Sequence, residues 1–307
     1  MFSRPRRSGF TVVELLVVLG VTMLLVSLLI PAVQKVRATA DLMICGNNLR
    51  QIGIALHAFH GDHDSFPTNG GWDGVQQIRS TSGNWFVPAT HDYDTGKTWQ
   101  WGVGDPRKVV RNQTGSWLYS ILPYVEQEGV HQQQQWTSAL KIHTCPARRS
   151  PTARPAVDDN YGWYRGGGWE WGRTDYAGNG LLFFGRLNPT DRVPLKRFAD
   201  ITDGTATTIL AGEKAMAPNT YDSGTWYWDE GFFLGGSGGT TRTNPILFPD
   251  RFITQAVQFK NNWGSAHASG VQFLFADGSV RLQPFLTETR IIQAIFTPNG
   301  GEVVSLD

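Results

Sequence analysis

Cysteine is scarce in this chain. Its 307 residues hold two, Cys45 and Cys145. Two are too few for a disulfide scaffold and show no metal-ligand spacing, so no metal is expected from them. In an oxidising compartment a single bridge is the natural use of such a pair; two buried free thiols are the alternative. Charge is scarce as well, at 17% of residues with a net of +1. No basic field exists to attract nucleic acid, which is not an expected partner. There is no H-E-x-x-H motif, no calcium-loop pattern and no recognisable nucleophile arrangement. The chain is therefore not expected to be an enzyme or to carry a cofactor. Glycine, at 35 residues, and tryptophan, at 12, are plentiful. That composition suits a loop-rich, aromatic-rich extracytoplasmic β domain better than a helical cytosolic enzyme.

Long apolar runs are limited to one, and it organises the rest. From Phe10 to Ile30, 21 residues carry a single charge, Glu14, behind Arg4, Arg6 and Arg7. A helix of about 20 apolar residues crosses a hydrocarbon core of about 30 Å. Arginines on its N-terminal side predict that this end stays in the cytoplasm and the bulk of the chain lies outside. Glu14 is the odd residue, because an ionised carboxylate in a span costs about 3 kcal/mol on insertion scales and needs a partner. If the chain is cut after Gly9, the new α-amino group of Phe10 is a cation one turn from Glu14. The amine of a neighbouring copy would neutralise that carboxylate in a medium of low dielectric. Two simpler readings compete. A secretory signal has an apolar region of only about 7–15 residues before a small-residue cut such as Ala38-Thr39-Ala40. A plain single-span anchor leaves Glu14 unexplained.

The stretch SGFTVVELLVVLG, with Gly9, Phe10 and Glu14, closely resembles the class III leader of type IV prepilins and type II secretion pseudopilins. The resemblance implies cleavage between Gly9 and Phe10 by a prepilin peptidase, N-methylation of Phe10, and Glu14 as the assembly residue. Residues 1–9 are then a leader, 10–60 a pilin-type helix with 10–30 in the inner membrane, and 61–307 a periplasmic β-rich domain. Loss of the three leader arginines takes the formal charge from +1 to −2.

Beyond the span, Leu42, Cys45, Leu49, Ile52, Leu56 and Phe59 recur at three and four, an amphipathic stripe on a helix continuing to about His60. Pro31 is expected to bend that helix where it leaves the bilayer. Ser116–Val130 reads as a short helix broken by Pro123, and Lys141–Cys145 as a strand. Strand patterns cover Thr207–Ala211, Thr225–Phe233 and Val271–Ala276. Asp277-Gly278 is expected to make a two-residue type I′ turn into Ser279–Leu282. Thr287 opens a short helix to Phe296, and Val303–Val304 is a further strand candidate. The fold class expected is α+β, with a long N-terminal helix packed on a mainly antiparallel sheet, as in pilins. The segments CGNNLRQIGIALHAFH, SWLYSILPYVEQ, TCP, DYAGNG, ITDGTATTILAGEK and H-x9-DG (His267 to Asp277-Gly278) resemble the pilin-like DUF1559 family across nearly the whole chain.

Several residues are candidates for chemistry. His267 and Asp277 lie at the two ends of a strand, more than about 20 Å apart unless the chain folds back, so a loop-holding histidine and a turn aspartate are expected rather than a dyad. Asp62 and Asp64, and Asp158 and Asp159, offer oxygen ligands for calcium without its loop pattern. His57, His60 and His63 more readily cap the helix end than bind zinc. Tyr161, Trp163, Tyr164, Trp169 and Trp171 either stack on a glycan or protein ligand or fill a core. Two functions follow: a fibre subunit assembled with other pilin-like chains, or a membrane-tethered binding module.

Overall fold

A computed structural model describes residues 11–92, 97–155, 164–188, 190–223, 229–236, 238–253 and 261–302. Gly9, Phe10, Asp158, Asp159, Tyr161, Trp163, residues 225–228 of one strand candidate and Val303–Val304 lie outside the described residues.

Helix α1 runs from Val12 to His63, through Pro31, and three residues beyond the predicted His60. The chain divides into two units, Met1–Met43 and Ile44–Asp307, so the boundary falls within α1. In the first unit the large apolar side chains from Val12 to Val36 are exposed. The helix is long and apolar enough to cross a membrane, with a mean hydropathy of 2.7 over 18 residues, and could serve as an anchor or a signal.

In the second unit the predicted stripe is real. Cys45, Leu49, Ile52, Leu56 and Phe59 are buried, and Arg50, Gln51 and His57 point to solvent. They pack on a five-stranded sheet built from β1 (Tyr176–Asn179), β2 (Ile209–Glu213), β3 (Thr241–Arg242), β4 (Val271–Phe275) and β5 (Val280–Gln283). The order is β5-β4-β2-β1-β3, antiparallel except for the β1–β3 pair. Successive residues of β4 serve opposite faces, as the pleat requires. Leu274 joins the cluster holding Leu49, Ile52 and Leu56, while Val271, Phe273 and Phe275 join Trp263 and the C-terminal helix residues Ile292, Ile295 and Phe296. Helix α1 approaches β4 closely enough that a Cβ on Gly53 would sit 2.7 Å from Leu274 Cδ1.

Three local expectations are corrected. Lys141–His143 is a 3-10 turn, not a strand. The Asn48 side-chain amide on α1 donates to the carbonyls of Lys141 (3.2 Å) and Thr144 (3.1 Å), which occupies acceptors a strand partner would need. Four residues, Ala276 to Ser279, connect β4 and β5. Gly278 N donates to Phe275 O, Phe275 N donates to Ser279 O, and of the loop residues only Gly278 has positive φ (+84°). That is a type I turn closed by a left-handed glycine, where type I′ needs two positive angles. The last helix is Thr289–Phe296, preceded by Glu288 with no side-chain cap from Thr287. Ser116–Val130 divides into Trp117–Ser120, Leu122–Val125 and a further helix, Glu128–Gln132.

Candidate functional site

Glu14 has a partner within its own chain. Its carboxylate accepts from Thr11 N (2.9 Å) and Thr11 Oγ1 (2.7 Å), while Glu14 N donates to Thr11 Oγ1 (3.2 Å). This reciprocal pair is a capping box, which satisfies donors the first helical turn leaves free. The T-x-x-E spacing was legible in the sequence, and reading Glu14 only as an intermolecular residue missed it.

Four segments distant in sequence meet at a second place. Cys45 comes from α1, Cys145 from the turn after Lys141–His143, Glu213 from the end of β2, and His267 from the loop entering β4. All four are buried, and one ligand atom from each lies within 4.8 Å of every other. The two sulfurs are 2.8 Å apart as free cysteines. The two cysteines that the sequence pairs are therefore neighbours in space. His267 Nε2 lies 3.2 Å from Cys45 Sγ, 3.5 Å from Cys145 Sγ and 3.5 Å from Glu213 Oε1. Glu213 Oε2 accepts from Gln272 N at 3.0 Å, whereas its buried Oε1 accepts no hydrogen bond. Burial pushes the Glu213 carboxyl up, against the pull of His267. It also pushes the Cys145 thiol well up. Burial opposes charge on His267, but Cys145 and Glu213 beside it hold the imidazole above its usual range. The donor set, two sulfurs, an imidazole and a carboxylate, is one that could hold a metal ion.

The walls of this place are fixed by buried ions. Cys145 N donates to Asp175 Oδ2 (2.7 Å), and Cys145 O accepts from Arg148 N and Arg149 N. Arg148 pairs with Asp250 (2.8 Å) and donates to Gly264 O and Lys214 O. Arg149 bridges Asp175 and Asp229, each at 2.7 Å, and Lys214 Nζ reaches Asp229 at 2.9 Å. Burial opposes ionisation of Asp229, yet Arg149 and Lys214 hold it below the usual carboxylate range. Burial brings Lys214 down to about 7. Nothing local in the sequence marks Arg148 and Arg149 as buried ions or shows that the strand-end Glu213 turns inward.

The remaining candidates separate. Asp277 is a turn residue: its Oδ1 accepts from Ser279 N (2.8 Å) and Oδ2 faces Arg281. His267 and Asp277 are thus not paired, although His267 does more than hold a loop. His60 Nε2 accepts from Phe198 N, and His57 stacks beside Phe198 at 4.6 Å. Asp62 accepts from Tyr124 Oη, and Asp64 pairs with Arg197. Trp171 and Tyr164 are core residues, packed on Trp136 and Trp101. Trp169 is half-buried, donates to Arg79 O, and with Trp85, 60% exposed, lines an open cleft of about 760 Å³ that also holds Asp73, Arg107 and Gln134.

The architecture defines an α+β protein whose N-terminal helix is both candidate anchor and core element. The family described as "Protein of unknown function (DUF1559)" matches residues 34–289, and the chain belongs to that family. No curated protein and no solved structure matches it.

Proposed function

We propose that the chain is a pilin-like structural subunit, not an enzyme. It is held in the inner membrane by α1, with residues 44–307 on the periplasmic side, until assembly into a type IV pilus or secretion-type pseudopilus. The observation that carries this reading is the apolar half of α1, lipid-like on every face. A helix apolar all round has to be buried in a membrane or among other apolar helices, and a fibre core of like helices supplies the second. The leader resemblance adds processing between Gly9 and Phe10 by a prepilin peptidase, and pairing of Glu14 with a neighbour's Phe10 amine. Glu14→Gln tests this pairing, because glutamine also completes a capping box but carries no charge. Expected are normal cleavage, normal folding and loss of incorporation into fibres. Wild-type incorporation of Glu14→Gln would remove the charge-pairing step. A mature protein starting at Met1 or Asp41 would remove the fibre reading altogether.

A second reading, a tethered glycan- or protein-binding module, is favoured by the Trp85–Trp169 cleft. Flat indoles beside amides and charged groups suit a polar ring-shaped ligand. Glycan-array binding that Trp169→Ala abolishes, with fibres absent, would put this reading first.

A further inference from the structure

We propose that Cys45, Cys145, Glu213 and His267 form a closed zinc site that staples helix α1 to the sheet of residues 44–307. This is independent of whether the chain enters a fibre.

The argument starts from distances. A tetrahedral zinc ion with Zn–S of about 2.3 Å and Zn–N or Zn–O of about 2.0–2.1 Å sets ligand atoms about 3.3–3.8 Å apart. Nε2 already stands 3.2 and 3.5 Å from the sulfurs and 3.5 Å from Oε1. The sulfur pair, at 2.8 Å, has to open by about 1 Å, and Oε1, within 4.8 Å of both sulfurs, has to settle at the same spacing. Chemistry points the same way. One ring nitrogen faces two sulfurs and a carboxylate oxygen at once, and a single N–H serves only one of them well. A cation in the shared space takes a lone pair from all four. The second observation is Glu213 Oε1, wholly buried and turned toward His267 at 3.5 Å, too long for a good hydrogen bond, with the Ser265 hydroxyl also facing this carboxylate. A buried carboxylate oxygen left in that state is costly, and ligation relieves it. A disulfide would use the sulfurs and leave the glutamate unexplained.

Two thiolates with an imidazole and a carboxylate select zinc over calcium or magnesium, which take oxygen ligands. Four protein ligands and full burial leave no open position, so the site is structural. Its surroundings hold the ligands in place: Gln272 N on Glu213 Oε2, Asp175 on the Cys145 amide, and Arg148 and Arg149 on the Cys145 carbonyl. On binding, each thiol gives up its proton to solvent, as do His267 Nε2 and Glu213 where they carry one, and no electrons move.

The test uses the full chain, extracted in detergent without reductant. Elemental analysis is expected to find one zinc per chain, with both thiols shielded from alkylation until a strong chelator is added. Cobalt(II) exchanged into the site is expected to show thiolate-to-metal charge-transfer absorption, a readout that needs no variant. His267→Ala and Glu213→Gln should each weaken zinc binding at least about tenfold, since loss of outer-shell partners alone costs 10–100-fold. The exposed control Arg290→Ala should leave it unchanged. An intact mass two hydrogen atoms light with no zinc would establish a disulfide and overturn the proposal. Reactive thiols with no cobalt spectrum would overturn it, and so would zinc held equally well by both variants.

Discussion

The two halves of α1 are one continuous helix written for two solvents. From Val12 to Val36 the large apolar side chains are exposed on every face. From Cys45 to Phe59 the buried side chains fall on one stripe, with Arg50, Gln51 and His57 outside it. Helical hydrogen bonding is the same in both, so what differs is where each half finds apolar surroundings. The second half finds them in its own sheet. The first has to find them in lipid or in other copies.

Matched truncations test this contrast most strongly. Leu56→Ala empties a fully buried position and is expected to cost about 2–5 kcal/mol in chemical denaturation of residues 44–307. Leu16→Ala, 61% exposed, is expected to stay within about 0.5 kcal/mol in the same measurement. Equal losses would mean the halves are not distinct. Gly53→Ala comes next. The new methyl would lie 2.7 Å from the tip of Leu274, so the cost is that of overpacking, about 1–3 kcal/mol, reduced by whatever the leucine can yield. Gly20→Ala, with open space around its Cβ, is the control and should be neutral or slightly favourable to the helix.

The same contrast explains what the sequence could tell. The helix and its stripe were legible because both are local and periodic. The strands around Ile209 and Val271 and the helix ending at Phe296 were legible for the same reason. The cluster was not, because its ligands come from four segments and Cys45 and His267 stand 222 residues apart. The pairing of Cys45 with Cys145 could be guessed only because no third cysteine exists. Glu213 sits in ILAGEK, where a Glu-Lys pair after a strand looks like an exposed end. In fact both are wholly buried, Lys214 on Asp229 and Glu213 facing His267. A charge is buried only when distant partners meet it, and a local pattern does not contain them.

Acid should destabilise residues 44–307. Burial holds His131 below its ordinary 6.5, against Glu128, and burial likewise lowers His60. The unfolded chain therefore takes up protons on these histidines first, and their contribution to stability falls as pH drops below 6.5, while His267, held above its usual range, contributes with the opposite sign. Asp229, held down by Arg149 and Lys214, adds stability that is present above its ordinary 3.8 and lost as pH falls toward its lower folded value. Thermal midpoints should decline in those two stages, and His131→Gln should soften the first. A midpoint flat from about pH 7 to about pH 5 would contradict the histidine part.

The smallest effect belongs to the other end of α1. Thr11→Ala removes both hydrogen-bonding roles of the threonine hydroxyl, and loss of such a cap costs about 1 kcal/mol. That loss is spent on fraying the first turn, so amide exchange near Val12–Glu14 should quicken while the denaturation midpoint of residues 44–307 stays put. The variant also isolates what Glu14 does. With the hydroxyl gone the carboxylate keeps only the residue-11 amide as an intrachain donor, which leaves it more available to a neighbour's amine. If charge pairing drives assembly, Thr11→Ala should still enter fibres where Glu14→Gln does not. If helix capping is what assembly needs, the order reverses.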